Sequence, residues 1–378
     1  MIYLDYSATT PTNKDVLDSF NEVSIKYFAN PNSLHKLGVE AKALIDNATN
    51  QIKDILKIKD KEVIYTSGAS ESNNLALKGI ALAYQNRGKH IITTEFEHSS
   101  VYSPLSYLSS LGFEVDVLKT DEFGKVDLDN LRELIREDTI LVSIASVNSE
   151  IGIIQPIREI SSIVKKYPKC FLHVDMTQSM TKIDIGLDDI DLISFSGHKF
   201  YGIKGIGCLL KNSKIKLIPI IHGGKSTSIY RSGTPATSLI TSISKALRLG
   251  YVDLDKKYKY VEELNKDLRD FFSNIDGVVI NSNCYCSPYI LNISILGIKP
   301  ETILHALEEK DIYISTQTAC SSNSNFSKGI LTLTRDEERA KSSVRISLSY
   351  LTTKEELDTF KKEFITIYNN LKELRRNK

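Results

Sequence analysis

The stretch ISFSGHKFYGIKGIG, residues 193–207, decides the fold. An apolar run that reads as a buried strand ends at Ser196, and His198 and Lys199 follow at once in a glycine-rich turn. In an open α/β sheet, ligands bind outside the carboxyl ends of the strands. The turn therefore sets a primary amine where a small molecule is held, and a lysine there can condense with a carbonyl group. A His-Lys pair taken alone reads as solvent-exposed, so the surrounding chain has to carry the case.

Working outward, short apolar runs alternate with amphipathic stretches from about Lys61 to Leu210. This is the pattern of βα units around a mostly parallel, buried sheet. The predicted strands are HIITTE (90–95), FEVDVL (113–118), TILVSIAS (139–146), FLHVD (171–175), LISFS (192–196) and GIGCLL (205–210). PIREISSIVKKY between the third and fourth places Ile157, Ile160, Ile163 and Val164 on one face, as a crossover helix does. After Gly250 long charged helices take over, and in the last of them Leu357, Phe360, Phe364, Ile367, Leu371 and Leu374 form the apolar stripe. Thr353 and Glu356 form a capping box at its start. The expected division is a large domain over 15–250 and a small α+β domain from 1–14 and 251–378.

Composition narrows the function classes. The 378 residues are 41% apolar and 25% charged, ordinary for a globular chain. Lys+Arg of 48 against Asp+Glu of 47 gives a net charge of +1, which offers no electrostatic footprint for nucleic acid or an anionic membrane. The N-terminus lacks a basic region followed by an apolar stretch, and no apolar run is long enough to span a bilayer. A cytoplasmic protein with reduced cysteines is expected. The five cysteines (170, 208, 284, 286 and 320) make a poor disulfide framework, and the lone Cys284-x-Cys286 reads as structural.

Three further segments add chemistry to Lys199. HVDMTQS ends an apolar strand at Asp175 with Gln178 just beyond, which suits a carboxylate pairing with a pyridine nitrogen. YTSGASESNNLALKGIAL is a strand end, a glycine turn and a helix start, where the amides of Gly68, Ala69 and Ser70 suit a phosphate. TTEFEHSS places His98 after a strand, where an imidazole can stack on a planar ring. Each feature has a plainer reading as a helix cap or a loop residue. Their succession along one chain points to a phosphate-bearing aromatic cofactor held on Lys199.

Together with YLDYSATTP (3–11), NPNSLHKLG (30–38), VNSEIG (147–152), RSGT (231–234), TAC (318–320) and SSVRISL (342–348), these motifs resemble the cysteine desulfurases. That family is NifS/IscS-like and lies within the class-V aminotransferase superfamily. The resemblance runs nearly end to end. It implies a homodimeric enzyme of pyridoxal-phosphate fold type I that converts L-cysteine to L-alanine. Its sulfur, held as a persulfide, passes to an acceptor protein for iron–sulfur cluster assembly or tRNA thiolation. By motif match Lys199 carries pyridoxal 5'-phosphate, His98 stacks on the ring, Asp175 binds the ring nitrogen, and Gln178 and Ser149 lie near the ring oxygen. Ala69, Ser70, Ser196 and His198 bind the phosphate, joined by Thr234 reaching across from the partner subunit. Arg345 grips the substrate carboxylate, and Cys320 is the nucleophile that takes the sulfur. No metal site of protein ligands is implied, Cys320 apart as a transient iron–sulfur ligand.

The match fails at several positions. Ser149 stands where the family has Asn, Lys225, Ser226 and Thr227 replace its usual Gly, Gln or His, and Glu, Gln317 replaces Gly, and Tyr350 ends a run in which the family has Arg. Lys225 is expected near the phosphate, and Gln317 is expected to stiffen the cysteine loop. The alternatives are a related lyase acting on selenocysteine or another β-substituted amino acid, or a catalytically impaired scaffold. Lys199, Asp175, His98, Arg345 and Cys320 together favour the desulfurase.

Overall fold

The computed structural model describes residues 1–316 and 326–376, so Gln317 and Cys320 lie outside the described residues. Twelve strands form among those described: β1 (Ile2–Tyr3), β2 (Lys61–Thr66), β3 (His90–Thr93), β4 (Glu114–Val117), β5 (Thr139–Ala145), β6 (Phe171–Asp175), β7 (Leu192–Ser196), β8 (Gly207–Asn212), β9 (Val278–Ile280), β10 (Ile290–Ile295), β11 (Ile312–Tyr313) and β12 (Ser343–Ser347). Seven of them make one sheet in the order β2-β8-β7-β6-β5-β3-β4. Neighbours from β7 through β4 are parallel, while β8 runs against both β7 and β2. Thus β2 points the same way as β7, and the loops after β2, β3, β5, β6 and β7 open on one edge.

The sheet is buried because its strands are apolar at successive positions rather than at alternate ones. All seven residues of β5, TILVSIA, are buried, as a strand covered on both faces requires. The six strands predicted from sequence all form: β6 and β7 keep their expected bounds, and the ends of the other four move by one or two residues. The largest displacement is at β8, which starts only at Gly207 because Gly205 adopts φ +86° and ends the preceding turn. Strand β2 was visible in sequence only as the strand end before the glycine turn.

The crossover helix spans Ile157–Val164 with Pro156 at its N-cap. Its Ile157, Ile160, Ile163 and Val164 are all buried. The capping box forms, with Thr353 N donating to Glu356 Oε2 at 2.9 Å and Glu356 N to Thr353 Oγ1 at 3.1 Å. The stripe of the helix Lys354–Arg376 stops at Leu371, because Leu374 is 63% exposed.

The remaining strands assemble around the chain termini. Strands β9, β10 and β12 form an antiparallel sheet, and β1 pairs in parallel with β11. Beyond β1 the N-terminal segment crosses from this sheet to the Lys199 turn. Ser7 N donates to Ser347 Oγ at 2.9 Å, Thr10 N to His198 O at 2.9 Å, and Asn13 N to Tyr201 O at 2.9 Å.

Candidate active site

The five co-directional loops and the N-terminal segment enclose a cavity of about 530 Å³, a size suited to a cofactor-sized ligand. Register places its floor: Ala145 of β5 faces Asp175 of β6, which faces Ser194 of β7. Asp175 is 6% exposed and ends β6, so its carboxylate stands at the carboxyl edge of the sheet. Thr177 N donates to its Oδ1 at 2.9 Å, and Asn73 Nδ2 to its Oδ2 at 2.7 Å.

Lys199 closes a short 3-10 turn directly after β7. Its Nζ donates to the carbonyls of Ser7 at 2.7 Å and Ala8 at 2.8 Å, so the N-terminal segment aims the amine. The helix Ala69–Tyr84 starts at the cavity wall, leaving the first-turn amides of Ala69 and Ser70 without an intrahelical acceptor. The turn before it is narrow. A Cβ on Gly207 would lie 2.7 Å from Gly68 Cα, so only glycine lets β8 pass behind it. Ser196 and His198 line the same cavity.

Burial first, and then the neighbouring Lys199, Lys204 and Lys182, push His198 down to about 4, so it is neutral near pH 7. His98 lines the wall between Phe96 and Ser100, and burial holds it below its ordinary value against the pull of Asp175. Gln178 is 5% exposed; its Nε2 donates to Ser7 O at 3.0 Å while its Oε1 accepts from Lys182 Nζ at 3.3 Å. Lys182 itself is pushed to about 7 by burial, aided by Lys199 and Arg345.

Arg345 projects from β12 and is 2% exposed. Nη2 pairs with Asp5 Oδ1 at 2.8 Å and Nη1 donates to Ser149 O at 2.9 Å, while Nε is buried without a partner among the described residues. Ser149 thus orients the guanidinium through its main chain, a contact independent of side-chain identity. Nine predicted cofactor residues (Ala69, Ser70, His98, Ser149, Asp175, Gln178, Ser196, His198 and Lys199) and Arg345 all line this cavity. Thr234 is exposed and does not line the cavity of its own chain. Lys225 is likewise exposed and does not line the cavity of its own chain, which besides Lys199 is lined by Lys204.

The site fits pyridoxal phosphate on its own chemistry. A buried carboxylate sits at the floor, unpaired helix amides at one end and a primary amine between them. Arg345 Nε, without a partner among the described residues, adds a donor suited to a carboxylate. The sequence model of Aminotransferase class-V matches residues 2–360. The cysteine desulfurase IscS of Buchnera aphidicola subsp. Acyrthosiphon pisum (strain 5A) is 42% identical over 365 residues, 94% of this chain and 90% of that protein. The chain belongs to the class-V aminotransferase family, among its NifS/IscS-like cysteine desulfurases.

Solved structures of the family agree. A NifS-like protein superposes with a TM-score of 0.91 at 34% identity, covering 98% of this chain and 99% of its own. SspA in complex with cysteine gives 0.81 at 32% identity, covering 93% and 100%. Pyridoxal phosphate is the cofactor of this family, as the sequence motifs implied. Among the described residues no group of three or more His, Cys, Asp or Glu could hold a metal ion, and no helix is long and apolar enough to cross a membrane.

Sequence reading missed Asp5, the carbonyls of Ser7 and Ala8, Asn73 and Lys204. Asp5, Ser7 and Ala8 fall within the quoted YLDYSATTP motif, so their position was visible although their part was not.

Proposed function

We propose that the chain converts L-cysteine to L-alanine with pyridoxal phosphate and takes the sulfur onto Cys320. The net reaction is L-cysteine plus the Cys320 thiol giving L-alanine plus a Cys320 persulfide. The substrate C–S bond breaks and an S–S bond forms; the substrate carbon gains the hydrogen and the electron pair that the sulfur gives up. The observation that carries this reading is the convergence on one cavity of the Lys199 amine, the Asp175 carboxylate and the Arg345 guanidinium.

Lys199 would hold the cofactor covalently, Asp175 would keep its pyridine nitrogen protonated, and the Ala69 and Ser70 amides with Ser196 and His198 would hold its phosphate. Bound there, the cofactor acts as an electron sink for the bonds at the substrate α-carbon. The chain's own groups do the rest. Arg345 fixes the substrate carboxylate, the Ser7 and Ala8 carbonyls orient the Lys199 amine, and the His98 imidazole faces the ring. Gln178, and Ser149 less directly, serve the ring oxygen.

A homodimer is supported by exposed apolar side chains near the N-terminus, with Ile25 75%, Phe28 76% and Leu34 96% exposed. The exposed Thr234 then serves the partner's site. The domain division at 15–250 against 1–14 and 251–378 is supported by the separation of the seven-stranded sheet from the sheets built by both chain ends. The sulfur acceptor is a protein of iron–sulfur assembly or tRNA thiolation, and the setting is cytoplasmic. The test is anaerobic turnover of L-cysteine, scoring alanine and trapped persulfide, with Cys320→Ala alongside. Alanine and a persulfide lost in that variant establish the reading. Alanine release indifferent to Cys320 overturns the nucleophile, and bound cofactor with no alanine overturns the activity.

A further inference from the structure

Behind the cavity floor, Asn73 is fully buried in the helix Ala69–Tyr84, its carboxamide nitrogen directed at two other elements and its Oδ1 without a partner among the described residues. Its Nδ2 donates to Asp175 Oδ2 at 2.7 Å and to Ser100 Oγ at 2.9 Å. The amide cannot be turned the other way, since its oxygen would then face a carboxylate. A hydroxyl that accepts from Asn73 has its own proton free to give, and His98 Nδ1 stands 2.8 Å from Ser100 Oγ.

The main-chain N–H of Ser100 donates to the same Nδ1 at 3.1 Å, which makes His98 the N-cap of the helix Ser99–Ser110. Two donors aimed at Nδ1 exclude a proton there. The neutral ring therefore carries its hydrogen on Nε2.

We infer that Asn73 is a positioning residue: one carboxamide sets Asp175 and, through Ser100, fixes the tautomer and orientation of His98. Its consequence for the cofactor rests on the proposed function, because the carboxylate and the imidazole would meet the ring at its nitrogen and its face. The network itself belongs to the protein alone.

The test therefore uses two independent readouts. Ring 15N NMR of histidine-labelled apoprotein, with the His98 signals assigned by their loss in His98→Gln, should show Nδ1 unprotonated and Nε2 protonated from about pH 6 to 8. Asn73→Ala should draw the two ring shifts together and weaken pyridoxal phosphate binding to the apoprotein by about tenfold, the loss of a charge-assisted hydrogen bond to Asp175. Ser100→Ala keeps the Asp175 contact, so it should alter the ring shifts while costing less cofactor affinity than Asn73→Ala does.

Unchanged ring shifts and unchanged affinity in folded Asn73→Ala overturn the inference. Where Asn73→Ala fails to fold, unchanged shifts in Ser100→Ala overturn the relay. Wild-type protein that binds no cofactor overturns the functional reading, while the ring shifts still decide the network.

Discussion

The Arg345 guanidinium and the Asp5 carboxylate pair at 2.8 Å with Arg345 almost fully enclosed, tying β12 to the segment that follows β1. The aspartate uses one edge of the guanidinium, and the buried Nε has no partner among the described residues. Asp5 therefore aims Arg345 at the substrate carboxylate and also neutralises a charge held out of water. Asp5→Asn should raise KM for L-cysteine about tenfold with the cofactor absorbance unchanged. Arg345→Lys, which loses the planar fork, should raise it about a hundredfold. Steady-state kinetics beside absorbance spectra of both variants check this.

Lys199→Ala should still bind pyridoxal phosphate through Asp175 and the phosphate turn, without a covalent link. Borohydride reduction should label the wild-type chain at Lys199 and leave the variant unlabelled, as peptide mass spectrometry would record. Turnover should fall by about a thousandfold or more, the scale on which an essential covalent group is lost.

The glycine contact behind the phosphate turn gives a steric prediction. In Gly207→Ala the new Cβ would sit 2.7 Å from both Gly68 Cα and Phe195 O, so β8 or the turn has to move. The cost should be about 1–3 kcal/mol in denaturant unfolding, with weaker cofactor affinity alongside. Gly224→Ala, which meets nothing within 4 Å, should stay within about 0.5 kcal/mol of wild type.

Glu97 predicts a pH dependence of stability. It is buried, with Thr94 Oγ1 and Ala145 N both donating to Oε1 and no partner for Oε2 among the described residues. Burial raises it from 4.5 to about 8, so the folded chain keeps a proton that the unfolded chain releases. The associated stability is fully present below about pH 4.5 and is lost as pH rises towards 8. Its slope is at most about 1.4 kcal/mol per pH unit. Glu97→Gln should remove that slope, so urea midpoints of the two proteins should diverge between pH 5 and 8, the wild type falling. Parallel curves would refute the assignment.

Much of the site was legible because it lies where strands end. Asp175, Lys199 and the Ala69–Ser70 amides each follow an apolar run, and a run of buried residues reveals its own end. Other parts left no such mark. Main-chain acceptors such as Ser7 O and Ala8 O carry no side-chain signature, and Asn73 sits inside a helix where a polar residue reads as solvent-facing. The Asp5–Arg345 pair joins residues 340 positions apart, beyond the reach of local periodicity. Lys204, five residues beyond Lys199 in the glycine-rich turn, lines the cavity and carries no motif of its own.

The pairing of β1 with β11, and the N-terminal carbonyls that hold Lys199, bear on how the enzyme comes into being on the ribosome. Ile2–Tyr3 and Asp5 are synthesised long before their strand partner and Arg345, which lies 340 positions beyond Asp5. The seven-stranded sheet can form while translation continues, but its active centre stays incomplete until the chain's first and last portions meet. A truncated or stalled chain could hold much of a cofactor pocket and still lack the grip for a cysteine carboxylate. The grip on a substrate carboxylate thus forms only once Asp5 and Arg345, far apart in sequence, have met.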